Sequence, residues 1–95
     1  MLAVLPVFHG FGLAVCINAT LMGGGRAVLV PQFSAAIVAE RLRHAKPTVM
    51  VGVPTLFDAL TRDRSLESSD LSQLRLCFCG ADTLSPEVKL RFEAL

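Results

Sequence analysis

Apolar residues in this chain fall into short blocks separated by glycine, proline or polar clusters. Leu2 to Phe8 is a nearly continuous apolar run, interrupted at Pro6 and closed at His9, and reads as a buried strand. His9-Gly10-Phe11-Gly12 follows as a turn, whose glycines tolerate unusual dihedrals or a close neighbour. Leu13 to Met22 is almost wholly apolar and lacks strand punctuation, which predicts a buried helix stopped by Gly23-Gly24-Gly25. Ala27 to Val30 is a second strand, closed by Pro31.

Ser34 reads as an N-cap, with Phe33 and Val38 spaced as a hydrophobic staple. The helix it opens runs to about Ala45, with Val38, Leu42 and Ala45 as its core stripe. Arg41, Arg43, His44 and Lys46 suit the negative end of its dipole, and Pro47 prevents continuation. Thr48 to Val53 is a third strand. Thr55 with Asp58 resembles a capping box, opening a helix from Leu56 to about Thr61. Arg62 to Gln73 is the one strongly polar stretch and reads as a surface loop. Leu74 to Cys79 is a fourth strand, and Gly80-Ala81-Asp82-Thr83 a turn. Ser85-Pro86-Glu87 then starts a helix with Val88, Phe92 and Leu95 on one side; the chain stops within it.

The order is βαβαβαβα, which predicts a parallel sheet with helices on both faces and right-handed crossovers. Ligands in such sheets sit beyond the carboxyl ends of the strands. Three loops therefore line one edge: Pro6 to Gly12, Val53 to Thr55, and Gly80 to Thr83.

Composition sharpens this picture. The chain has 95 residues, 53% of them hydrophobic and 18% charged, with mean hydropathy +0.57. That is one domain at most, too apolar for a disordered chain. A domain this small has too much surface to hide half its residues, so the expectation is a piece of a larger domain. Cut from its neighbours, such a piece is expected to self-associate. Nine Lys and Arg against eight Asp and Glu give no electrostatic reason to bind nucleic acid. No apolar run reaches the roughly 20 residues of a membrane span, so no transmembrane segment is expected. No secretory signal is recognisable. Three cysteines, Cys16, Cys77 and Cys79, close no disulfide framework. They read as reduced thiols of a cytoplasmic protein, with peripheral membrane attachment left open for the parent. Cys77 and Cys79 point to one strand face, but nothing is spaced to complete a zinc site with them, so no metal site is expected.

Candidate chemistry lies in the loops. His9 is either a polar group lining a pocket or an imidazole tied to a backbone carbonyl. Phe11 and Val15 are four apart and form either an apolar pocket wall or simple core. Gly12 leaves room beside them. Gly80-Ala81 admits a flat ring or a backbone, without being a dinucleotide fingerprint. Gly23-Gly24-Gly25 runs helix to strand, the reverse of a phosphate loop. No catalytic constellation is readable.

Leu5-Pro6-Val7-Phe8-His9-Gly10-Phe11-Gly12-Leu13 resembles the Pro-x-Phe-His-x-aromatic-Gly motif of the adenylate-forming enzymes, which include acyl-CoA synthetases, 4-coumarate-CoA ligases and firefly luciferase. Gly24-Gly25-Arg26-Ala27-Val28-Leu29, Val53-Pro54-Thr55-Leu56, Asp70-Leu71-Ser72-Gln73-Leu74-Arg75 and Gly80-Ala81-Asp82-Thr83-Leu84 are similar to later segments of that family, in order and at matching spacing. The resemblance implies a fragment of the large N-terminal domain, residues 1–95 being a single partial domain. The parent would join a carboxylic acid, most like a fatty acid, to AMP from ATP and then transfer the acyl group to coenzyme A, with Mg assisting. His9, Phe11, Gly12 and Val15 would line the acid pocket, and Gly80, Ala81, Asp82 and Thr83 would pass the adenine and the acyl chain. Asp82 and Thr83 depart from the family's usual Ala-Pro. The phosphate loop would lie upstream and the catalytic lysine domain downstream, in the remainder of the parent chain. The fragment alone is therefore expected to carry no catalytic residue, bind no cofactor and be inactive. The alternative is a stand-alone α/β binding or interaction module without catalysis.

Overall fold

A computed structural model of the chain describes residues 1–67 and 71–95. It contains a four-stranded, all-parallel sheet in the order β2-β1-β3-β4, formed by β1 (Leu2–Ala3), β2 (Val28–Leu29), β3 (Val49–Gly52) and β4 (Leu76–Cys79). The alternation of strands and helices expected from the sequence is present, and so are helices on both faces. Between the strands run α1, π-wound over Gly12–Ala19 and α-helical over Thr20–Met22, then α2 (Ala35–Ala45), α3 (Pro54–Arg62) and finally α4 (Pro86–Glu93).

The strand register sorts side chains between two faces, because partners in adjacent parallel strands point the same way. Leu2 and Met50 face α2, α3 and α4, where they join Val38, Leu42, Phe57, Leu60 and Leu66 in the larger core. Ala3 and Val51 face α1 and form a smaller core with Leu5 and Cys16.

Both helix-start signals based on serine are present. Ser34 and Ser85 are in extended conformation and accept hydrogen bonds from the N–H groups of Ile37 and Val88. The expected capping box at Thr55 is not. Val53 is the N-cap of α3, because Pro54 already takes the first helical position, where its missing N–H costs nothing. The first strand is also much shorter than Leu2 to Phe8. The chain turns at 6–9, with the N–H of His9 on the carbonyl of Pro6 at 3.2 Å.

Leu13 to Met22 is helical but not buried: Leu13, Leu21 and Met22 are exposed, and within Gly12–Ala19 only Gly12 and Cys16 are buried. A single helix lying on a sheet can bury only one stripe of itself. The polar stretch from Arg62 is not wholly a surface loop either. Arg62 ends α3, and Arg64–Leu66 is a turn of 3₁₀-helix that plants Leu66 in the larger core. Residues 68–70 of that stretch, including Asp70 of the motif, lie outside the described residues.

Asp58 ties two helices together. Its carboxylate accepts from Arg62 one turn on at 2.9 Å and from Arg91 of α4 at 2.7 Å. The Arg62 hydrogen bond, ahead of the charges of Arg62 and Arg91, holds Asp58 below the usual carboxylate range.

Candidate functional site

β1, β3 and β4 are neighbours in the sheet, so the loops leaving their carboxyl ends meet at one edge. There they border an open cavity of about 460 Å³. Leu5, Pro6, His9, Gly10, Phe11 and Gly12 supply one side, Val53 and Ala81 the other. The three loops singled out by the strand-end rule are thus brought together.

His9 is held by its backbone. Its N–H donates to Pro6, and its carbonyl accepts from Leu13 at 2.9 Å. The imidazole has no hydrogen-bond partner among the described residues and lies 4.8 Å, centroid to centroid, from the ring of exposed Phe8. It is an exposed donor and acceptor at the cavity rim and, among the described residues, the one titratable side chain in the lining.

Phe11 lies across the cavity onto the β4 loop. A methyl group at Gly80 would sit only 2.8 Å from the tip of its ring, so glycine is what allows the contact. Gly12 is buried against the Pro6 carbonyl, with no room for a side chain. Val15 packs onto the smaller core beside Cys16 and does not line the cavity.

The Gly80 N–H donates to Gly52 at 3.1 Å, which carries the β3–β4 pairing to the cavity edge. Ala81 then takes φ +70°, a left-handed conformation unusual for a residue with a side chain. This turns the chain so that Ala81 meets the cavity. Asp82 and Thr83 are exposed outside it, the Asp82 carboxylate accepting from the Thr83 N–H at 2.7 Å.

Leu5, Pro6, Gly10 and Val53 also line the cavity but were not picked out one by one from the sequence. Their loops were, and the signal available for each was its place after a strand. A second, apolar hollow of about 390 Å³ lies between β4 and α4, floored by the edge-to-face pair Phe57 and Phe92. Cys77 and Cys79 line it together, as their spacing on a strand requires. Cys16 is buried elsewhere, and burial pushes its thiol up. Among the described residues no group of three or more His, Cys, Asp or Glu could hold a metal ion. No helix among them is long and apolar enough to cross a membrane.

Comparison with known proteins places these features in context. The family described as AMP-binding enzyme matches residues 1–95. A long-chain-fatty-acid–CoA ligase of Bacillus subtilis (strain 168) is 32% identical over 93 residues, which cover 98% of this chain and 17% of that protein. A feruloyl-CoA synthase of an Amycolatopsis species is 30% identical over 91 residues, covering 96% of this chain and 18% of that one. Among solved structures, ATP-bound MatB from Rhodopseudomonas palustris superimposes with a TM-score of 0.85 at 28% identity, again over 98% of this chain and 18% of that one. The anthranilate CoA ligase AuaEII, in complex with anthranoyl-AMP, does so with a TM-score of 0.90 at 25% identity over the same shares. The chain spans less than a fifth of the length of these relatives.

Proposed function

This chain belongs to the AMP-binding enzyme family, and from that premise we propose that it forms one wall of the acid pocket in an ATP-dependent acid–CoA ligase. In this reading residues 1–95 are a partial domain of a longer protein. The whole protein uses ATP, Mg and coenzyme A. A carboxylate oxygen of the acid attacks the α-phosphorus of ATP, the bond to pyrophosphate breaks, and an acyl-adenylate forms. The thiol of coenzyme A then takes the acyl group, and AMP leaves. The acid is a fatty or similarly hydrophobic one. His9 lies beside its carboxylate; Phe11 and Gly12 face its chain, with Val15 supporting them from the core. Gly80 to Thr83 pass the adenine and the acyl group. Three free thiols suit a cytoplasmic protein.

The observation that carries this reading is the cavity itself. It lies where ligands of parallel sheets lie, is walled by apolar side chains and glycines, and presents one unpartnered imidazole. Adenylate formation depends on cations and loops placed around the phosphates, as phosphoryl transfer does generally. The cavity offers none, so the 95 residues alone should give no acid-dependent exchange of pyrophosphate into ATP. In the complete protein, His9→Ala should change acid turnover or apparent affinity at least about tenfold, roughly 1.4 kcal/mol in transition-state terms. Its melting temperature should hardly move, since the imidazole has no partner to lose. Steady-state adenylation against acid concentration, beside a thermal melt, tests this. A large melt shift with unchanged kinetics would make His9 structural.

A further inference from the structure

The helix that follows the cavity loop is wound unusually. Gly12–Ala19 is π-helical over eight residues, whereas this winding mostly occurs as single turns and gathers at functional sites. With i→i+5 closure, residues five apart return to nearly the same side. In an α-helix they stand about 140° apart.

Phe11 and Cys16 are five apart, and both are directed toward the sheet. Cys16 is fully buried with Ala3, Leu5 and Val51. The ring of Phe11 packs on that cluster too and rests on Gly80 of the β4 loop. An α-helical path could keep one of these placements and would turn the other aside. Both ends of the wide segment are fixed. Gly12 is wedged against the Pro6 carbonyl, and the Thr20 hydroxyl donates to the carbonyl of Val15, five residues back, at 3.4 Å.

We propose that the π-wound segment is a positioning element for the acid pocket: its wide turn holds the Phe11 ring over Gly80 and thereby sets how bulky an acid the cavity admits. The identity of the ligand rests on the acid–ligase reading; the placement of the ring does not.

The test uses the complete protein carrying this segment. Deleting exposed Ala14 removes the surplus residue and favours α winding. Crystal structures of the parent and the deletion variant should show Phe11 on Gly80 in the first and turned away in the second. With butyrate, octanoate and palmitate as substrates, the ratio of kcat/KM between long and short acids should shift at least tenfold, while KM for ATP stays within twofold. In a Phe11→Ala background the same deletion should add less than twofold. Gly80→Ala, which displaces the ring without touching the helix, should shift acid preference in the same sense.

A deletion variant that does not fold, that slows all three acids equally, or that acts as strongly without Phe11 would overturn the proposal. If the ring moves as expected but no acid is adenylated even by the parent, the ligase reading fails and the placement stands.

Discussion

The two faces of the sheet are built differently. On one, three helices and a 3₁₀ turn bury Leu2, Val38, Met50, Leu60 and Leu66 to 1% exposure or less. On the other, a single helix covers Ala3 and Val51 and leaves the flanks open. Leu29 pairs with Ala3, Leu76 with Val49 and Phe78 with Val51, so all three share the α1 face, and each is more than half exposed. The first face holds the fold together. The second carries the cavity loop at its edge and a row of apolar side chains left about half exposed. The high apolar fraction is thus divided between a sealed core and an exposed face.

The sharpest way to break this comparison is to make the same kind of change on both faces. Leu60→Ala leaves a hole in the larger core and should cost about 2–5 kcal/mol in denaturant unfolding, much of what so small a domain has. Phe78→Ser should stay within about 0.5 kcal/mol, as exposed substitutions do. Equal costs would erase the distinction.

The open face should show itself in association. The 95-residue chain is expected to sediment as a concentration-dependent mixture, and Leu76→Lys with Phe78→Lys should move it toward monomer. A monomer at high concentration before any substitution would mean that the exposed row is inert.

The smallest effect belongs to the helix side. Asp58 titrates below its ordinary range, chiefly through its hydrogen bond with Arg62. A depressed folded pKa stabilises above the unfolded carboxylate value, and the gain disappears as pH falls through the folded value. Asp58→Asn should therefore lower the melting temperature slightly at neutral pH and not at all in strong acid. A gap that persists into acid would assign the effect to packing.

Element order and both serine caps were legible because they depend on neighbours in sequence. So was the meeting of three loops, since parallel topology decides which strand ends share an edge. What needed the third dimension was not legible. Leu66 looks like one apolar residue in a polar loop until a core is there to receive it. Leu13, Leu21 and Met22 read as buried because nothing local says how many helices a sheet face carries. Ala81 and Lys46 take positive φ without the glycine or asparagine that would announce it. The π winding of Gly12–Ala19 has no signature in the sequence. Pro54 is itself a start signal for α3, since its ring suits the first helical position and lacks only an N–H that has no partner there.

β1 comprises Leu2–Ala3 and is hydrogen-bonded on both sides, to β2 and to β3. During synthesis β1 emerges before either of its partners, since Leu2 pairs with Val28 and with Met50. Until both have followed, a strand that is paired on two sides in the folded protein has no sheet to join, so its backbone pairing is long-range on either side.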